Sequence, residues 1–326
     1  MMRRITYRQA LREALQEEME RDARVFLMGE DVGIFGGNFK VSQGLIDKFG
    51  EERVRDTTLA ETVIIGAGVG AAITGMRPVC EIMLADFVGV CFDEIYNKAG
   101  KWRYMHGCEV AVPMVIRTPM GCRGGGGAEH SQCPEALFLH GPGLKIALPS
   151  TPYDAKGLLK AAIRDDDPVV FFEHKLLYDL EGEVPEEEYI VPLGKAAIRR
   201  EGQDVTILAY SFMVHKALAA AEALAANGIE AEVVDLRTLV PLDVETVLAS
   251  ARKTRRVVII HEANKRGGAG AELAAIIQEK LFGVLAAPVI RVCAPDVPIP
   301  FSPALEKVYL PDEEKLQQAV RELLAK

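Results

Sequence analysis

The chain has 326 residues, enough for two domains of about 150 residues each. Apolar residues make up 49% and charged residues 26%, with a single tryptophan, a composition that fits a soluble α/β protein and excludes a fibre or a disordered chain. The net charge is −9 and the basic residues form no cluster larger than Arg252, Lys253, Arg255 and Arg256, which argues against nucleic acid as a main partner.

The opening stretch MMRRITYRQALREALQEEMERD reads as a basic pair followed by an amphipathic helix over 7–22, without the apolar core and small-residue cleavage site of a secretory signal. No apolar run reaches the roughly 18 to 20 residues of a membrane helix. Six cysteines, Cys80, Cys91, Cys108, Cys122, Cys133 and Cys293, form no CxxC pair and read as reduced thiols, so the expected location is the cytoplasm.

Helical and apolar segments then alternate. VFLMGEDV is a strand, a helix begins near Glu61, and PVCEIML is the next strand. A helix through GVCFDEIYNKAGKWRYM is followed by VPMVIRT, LKIALPS, the helix PYDAKGLLKAAIRD and the strand PVVFFEH. These strands are continuous apolar runs without alternation, the pattern of a parallel sheet covered on both faces. The stretch 180–204, with five acids between Glu181 and Glu188, reads as a linker with one small hairpin. A second α/β alternation follows: VTILAYS, a helix over 213–226 stopped by Asn227-Gly228, EAEVVDL, a helix over 243–252, RVVIIHEA, a helix over 269–282, PVIRVCAP and a helix over 312–325. Two sheets imply two domains.

Several residues carry candidate chemistry. In VIIGAGVGAA, Gly66, Gly68 and Ala71 satisfy the GxGxxG/A dinucleotide fingerprint, but only Val63, Ile64 and Ile65 precede the first glycine, too few for the buried strand that fingerprint needs. The glycines read better as small residues inside a closely packed helix. Glu61, at the start of that helix, is either a capping-box or dipole acid or a desolvated glutamate able to share a proton with a basic ring nitrogen. The sequence leaves both open. The run GGGGAEHSQ implies a backbone that needs positive φ or a close approach, and it puts His130 at the carboxyl end of VPMVIRT, where open α/β sheets bind ligands. His106, His140, His174, His215 and His261 have no neighbours at ligand spacing and read as structural or surface residues, with His174 in FFEHK the exception at a strand end. There is no GxSxG, no HExxH, and no GDG followed by Asn-Asn, the arrangement that holds a magnesium diphosphate in thiamin enzymes.

In this order, DTTLAETVIIGAGVGAAITGMRPVCEIMLADF, GGGGAEHSQ, HGPGLKIALPSTPYDAKGLLKAAIRDDDPVVFFEHKLLY and VVDLRTLVPLD resemble the beta subunit of the thiamin-diphosphate-dependent 2-oxo acid dehydrogenases, the group with pyruvate, acetoin and branched-chain members. The resemblance covers the whole chain. It implies two doubly wound α/β domains, a transketolase-like pyrimidine-binding domain over 1–185 and a transketolase C-terminal domain over 201–326, joined by a linker at 186–200. It makes Glu61 the carboxylate that hydrogen-bonds the aminopyrimidine and promotes the tautomer that deprotonates the thiazolium carbon. By the same resemblance Leu59, Met83 and Phe87 line the cofactor, and His130 stands at the active-site mouth, where it orients or assists a lipoyl group. AAIRDDD resembles a segment that binds a structural potassium ion in some relatives; Ala162 and Asp165 fit it, while Asp167 stands where asparagine is more usual. The absent diphosphate motif falls to an alpha subunit, which implies magnesium held by that subunit, an α2β2 heterotetramer and a lipoyl-bearing acyltransferase core. The helix at 61–74 and the one bearing Tyr96, Trp102 and Tyr104 are the surfaces expected to meet other subunits. Met83 and the stretch following FFEHK look more like the pyruvate and acetoin types than the branched-chain type.

Overall fold

The structure, a computed structural model, describes residues 1–325. Its strands, in chain order, are β1 (Met2–Thr6), β2 (Val25–Gly29), β3 (Val54–Asp56), β4 (Arg77–Glu81), β5 (Val115–Met120), β6 (Lys145–Ala147), β7 (Val169–His174), β8 (Glu181–Pro185), β9 (Ala197–Arg200), β10 (Val205–Ala209), β11 (Ala231–Asp235), β12 (Thr238–Val240), β13 (Val257–Asn264) and β14 (Ile290–Ala294). A seven-stranded sheet runs in the order β12-β6-β7-β5-β4-β2-β3, parallel except for β12. A five-stranded sheet runs β14-β13-β10-β11-β9, parallel except for β9.

The apolar runs became buried central strands for the expected reason. Every residue of β2, β4, β5 and β7 is buried, because helices cover both faces of the sheet. On one face the helices Tyr7–Arg21 and Pro152–Arg164 pack against each other, with Leu11, Leu15, Leu158 and Leu159 in their shared core. The first of these helices starts on a capping box in which Thr6 and Gln9 exchange side-chain and backbone hydrogen bonds.

The acidic stretch behaves differently from the expected linker hairpin. Its first part, β8, pairs antiparallel with β1, the segment before the first helix, so the ribbon joins residues nearly 180 positions apart. Arg4 lies 3.0 Å from Glu181 across this ribbon, an exposed ion pair that adds to the backbone ladder without determining it. Its last part, β9, becomes the antiparallel edge of the second sheet. Strand β12 belongs in sequence to the second half of the chain, yet it closes the first sheet beside β6.

The two sheets are bound together by buried polar links. Tyr210 donates to Glu135 (2.6 Å), Ser150 donates to Asp235 (2.5 Å), Arg237 pairs with Asp154 (2.7 Å), and His174 meets Glu262 at 2.8 Å. Inside the first sheet Arg117, fully buried, bridges Glu81 (2.7 Å) and Glu173 (2.7 and 2.9 Å), and Tyr178 donates to Glu173 (2.7 Å). Among the described residues no helix is long and apolar enough to cross a membrane.

Candidate active site

Parallel strands deliver their following loops to one edge, and the candidate residues gather there by topology. Glu30 follows β2, Glu61 follows β3, Met83 and Phe87 follow β4, His130 follows β5 and Lys175 follows β7.

Glu61 opens the helix Glu61–Ile73 directly after Ala60, and no side-chain cap bond forms at this start. Standing in the first helical position, it is not the third-position acid of a capping box. The side chain is buried, at 7% exposure. A second acid near enough to feel its charge is Glu30, which sequence reasoning missed. Burial, together with the charges of Glu61 and Asp31, raises the Glu30 pKa, and both of its carboxylate oxygens are buried without a hydrogen-bond partner. The only sequence signal for Glu30 was its place at the end of an apolar strand.

Around this carboxylate pair the surface is apolar and open: Leu59 is 80% exposed and Val63 is 62% exposed. Gly66, Ala67 and Gly70 continue the outer face of the helix, and a Cβ at Gly70 would meet nothing, whereas one at Gly68 would lie 2.5 Å from the Cys80 sulfur. These glycines lie inside the helix, five residues and more past its start. The nicotinamide reading therefore fails, since a dinucleotide fingerprint places its first glycine at a strand-to-helix turn.

The second part of the site is joined through Asp86. Its Oδ1 accepts the amides of Ser131 (3.1 Å) and Gln132 (3.0 Å), tying the turn that carries Phe87 to the loop that carries His130. Phe87 and His130 then meet edge to face, with ring centroids 5.6 Å apart. Met83 and Phe87 are half-buried, and the His130 ring is exposed. Lys175, largely buried, donates to the His130 carbonyl, and burial lowers its pKa. Phe39, Leu84, Arg123, His130 and Lys175 line an open cleft of about 270 Å³. A larger cavity of about 480 Å³ lies behind the loop, lined by Cys133, by Glu262 and Asn264 of the second sheet and by Tyr309 of the helix Pro303–Tyr309, and neither Glu61 nor His130 lines it.

The four glycines each have a structural cause. Gly124, Gly125 and Gly127 have φ of +93°, +82° and +69°, and a Cβ on Gly126 would stand 2.3 Å from the Ser131 hydroxyl. What the loop approaches is the chain's own second domain: Glu306 accepts the amides of Gly124 (2.7 Å) and Gly125 (3.1 Å), and Phe301 packs on Gly127. Next to it the Cys122 amide donates to Glu262 (2.6 Å). Burial alone raises a carboxyl, but His174 and this amide hold Glu262 below its ordinary range. His174, the exception suspected in FFEHK, thus lies in a buried link between the sheets. His215 bonds the Ser150 carbonyl (2.7 Å), and burial pushes His261 down to about 4.

Ala162, Asp165 and Asp167 lie at the opposite, amino-terminal edge of the sheet, remote in topology from the groups above. There Lys145 reaches both Asp165 and Asp167.

Residues 3–181 match the family described as the transketolase pyrimidine-binding domain, and residues 194–316 match the transketolase C-terminal domain. The chain is 50% identical to the 2-oxoisovalerate dehydrogenase subunit beta of Bacillus subtilis over 98% of each chain. It is 48% identical to the acetoin:2,6-dichlorophenolindophenol oxidoreductase subunit beta of Cupriavidus necator, over 99% of this chain and 98% of the other. The chain belongs to the beta subunits of thiamin-diphosphate-dependent 2-oxo acid dehydrogenases. The pyruvate dehydrogenase E1 component subunit beta of Porphyra purpurea is a further member, 49% identical over 97% of this chain and 95% of that one. A solved structure titled "Split gene transketolase, inactive beta4 tetramer" superposes with a TM-score of 0.81 at 27% identity and 98% coverage of both chains. This dehydrogenase beta subunit therefore has the transketolase-like two-domain α/β fold.

Proposed function

We propose that this beta subunit supplies the pyrimidine-binding half of an active site completed by an alpha subunit, in an α2β2 enzyme that decarboxylates a small 2-oxo acid, pyruvate, or cleaves acetoin. One observation carries the reading. A buried carboxylate, Glu61, sits beside a second carboxylate with no partner of its own, and the apolar side chains around them, Leu59 and Val63, are left facing outward. That is half a pocket, and exposed apolar surface around a functional acid is what a second chain would cover.

These residues suit an aminopyrimidine, which offers a basic ring nitrogen to a carboxyl group and two flat apolar faces to side chains. When bound, thiamin diphosphate supplies the electron sink for loss of carbon dioxide. The chain's own residues do the rest of what is assigned here. Glu61 shares a proton with the ring nitrogen, and its burial keeps that proton from water. Leu59, Met83 and Phe87 hold the ring and exclude solvent. His130, exposed at the cleft and braced by Phe87 and the Asp86 contacts, orients the lipoyl group of an acyltransferase core. The alpha subunit holds the diphosphate through magnesium. Met83 favours a small acyl group, although a pocket discriminates a methylene by only about 1–3 kcal/mol. The six free cysteines support a cytoplasmic setting.

The test is reconstitution. Alone, the chain should bind negligible thiamin diphosphate; with the alpha partner it should support dye-coupled oxidation, faster with pyruvate or acetoin than with 2-oxoisovalerate. A preference for 2-oxoisovalerate would move the substrate assignment to the branched-chain class. Tight cofactor binding by the isolated chain would end the half-site reading.

A further inference from the structure

The helix Pro303–Tyr309 is held to the molecule by an acid. A surface helix ordinarily buries an apolar stripe, but here the buried residue is Glu306, at 4% exposure, while Leu305 and Val308 on the same helix are 59% and 73% exposed. A carboxylate stays buried only where donors satisfy it. The donors for Glu306 come from the other domain, out of the glycine run. Its Oε1 accepts the Gly124 amide at 2.7 Å and its Oε2 accepts the Gly125 amide at 3.1 Å. Two successive amides converge on one anion because both residues have positive φ, +93° and +82°, a concave backbone that glycine adopts without strain.

The far end of the same loop is tied within its own domain. Asp86 accepts the amides of Ser131 and Gln132, and Lys175 donates to the His130 carbonyl. Between these ties the loop supplies little order of its own: the His130 amide reaches the Gly127 carbonyl at 3.5 Å, beyond the usual range of a hydrogen bond. Where the His130 ring stands therefore depends on both ties, and one of them is Glu306. We infer that Glu306 is a positioning residue for His130: the second domain seats its carboxylate in the glycine loop and so fixes the histidine beside the cleft. This role rests on the reading of His130 as the residue that orients the lipoyl group. Glu306 acts through the loop, and the bonds it accepts are charge-assisted, about twice as strong as neutral ones. Glutamine in its place keeps one acceptor oxygen but turns an NH2 group toward the second amide, so a donor faces a donor.

The test uses the assembled complex with two readouts: dye-coupled oxidation, in which the dye takes the electrons without a lipoyl group, and acyl transfer to the lipoyl-bearing acyltransferase. Glu306→Gln should lower lipoyl-dependent turnover about ten-fold or more relative to dye-coupled turnover, since a misplacement of about 1 Å can cost about 10²-fold. In a His130→Ala background the same substitution should change the lipoyl-dependent rate by less than about two-fold, because residues that act through one another are not additive. A merely structural role would lower both readouts alike and multiply with the effect of His130→Ala; either result would overturn the assignment. The His130→Ala protein separates the two levels. If it transfers acyl groups normally, the reading of His130 falls and the role of Glu306 with it; if it is impaired while Glu306→Gln is not, only the role of Glu306 falls. Should Glu306→Gln not fold, Glu306→Asp, which keeps the charge but draws it back by one methylene, carries the same comparisons.

Discussion

Replacing Glu135 by glutamine should make the protein's stability, relative to wild type, rise steadily as pH climbs from about 4.5 to above 7. Glu135 is fully buried on the short helix Glu135–Leu139, where its Oε1 accepts the Tyr210 hydroxyl and its Oε2 has no partner. Burial pushes its pKa from 4.5 up to about 7. At about 1.4 kcal/mol per unit, that rise corresponds to about 3 kcal/mol of stability that depends on pH. The sign follows from the raised value. Below about pH 4.5 the carboxyl is protonated whether the chain is folded or not, and burying it carries no ionic penalty. As pH climbs to about 7 the unfolded chain releases the proton that the folded chain retains, so stability falls, and above the folded value the full penalty stands. Glutamine is always neutral and still accepts from Tyr210, but its amide replaces the unpartnered oxygen at a cost of about 1–3 kcal/mol. Urea unfolding of both proteins at pH 5, 6, 7 and 8 should therefore show the stability of Glu135→Gln relative to wild type rising by about 2–3 kcal/mol across the series. A difference that stays flat with pH would refute the buried, raised carboxyl.

Three further substitutions probe the frame that holds the site. Arg117→Met leaves Glu81 and Glu173 as uncompensated buried acids in the sheet and should cost about 3–5 kcal/mol in urea unfolding; a loss below about 1 kcal/mol would show that the network is dispensable. Gly124→Ala and Gly127→Ala both force alanine into positive φ at about 1–2 kcal/mol each, but only the added Cβ at position 127 would meet Phe301, at 3.2 Å. Turnover in the reconstituted enzyme should fall more for Gly127→Ala than for Gly124→Ala, because the second displaces nothing beside the His130 loop.

The parts legible in the sequence were those set by local pattern. Unbroken apolar runs such as PVVFFEH announce a doubly covered parallel sheet, and its carboxyl edge is where His130 was expected; Glu61 was legible only as the acid that opens a helix, its role resting on the family resemblance. What the sequence hid were pairings between distant segments. Nothing near Met2–Thr6 says that it will zip to Glu181–Pro185, and Thr238–Val240 gives no sign that it leaves its own domain for the edge beside β6. The glycine run signalled unusual backbone, but its neighbours, Phe301 and Glu306, lie more than 170 residues away. Glu30 looked like an ordinary strand end, and its meaning comes only from the absence of any partner for its carboxylate. Lys145 opens a strand of three residues, and its contact with Asp165 and Asp167 is set by sheet order.

The central claim is that a dry carboxyl group on this chain handles a proton for chemistry completed by a second polypeptide. Turnover of Glu61→Gln in the assembled complex tests it most directly, with assembly checked separately by size. The account predicts intact assembly and a fall in turnover of about 10²-fold or more, the lower range for a lost acid–base group. Turnover close to wild type in a correctly assembled Glu61→Gln complex would contradict it.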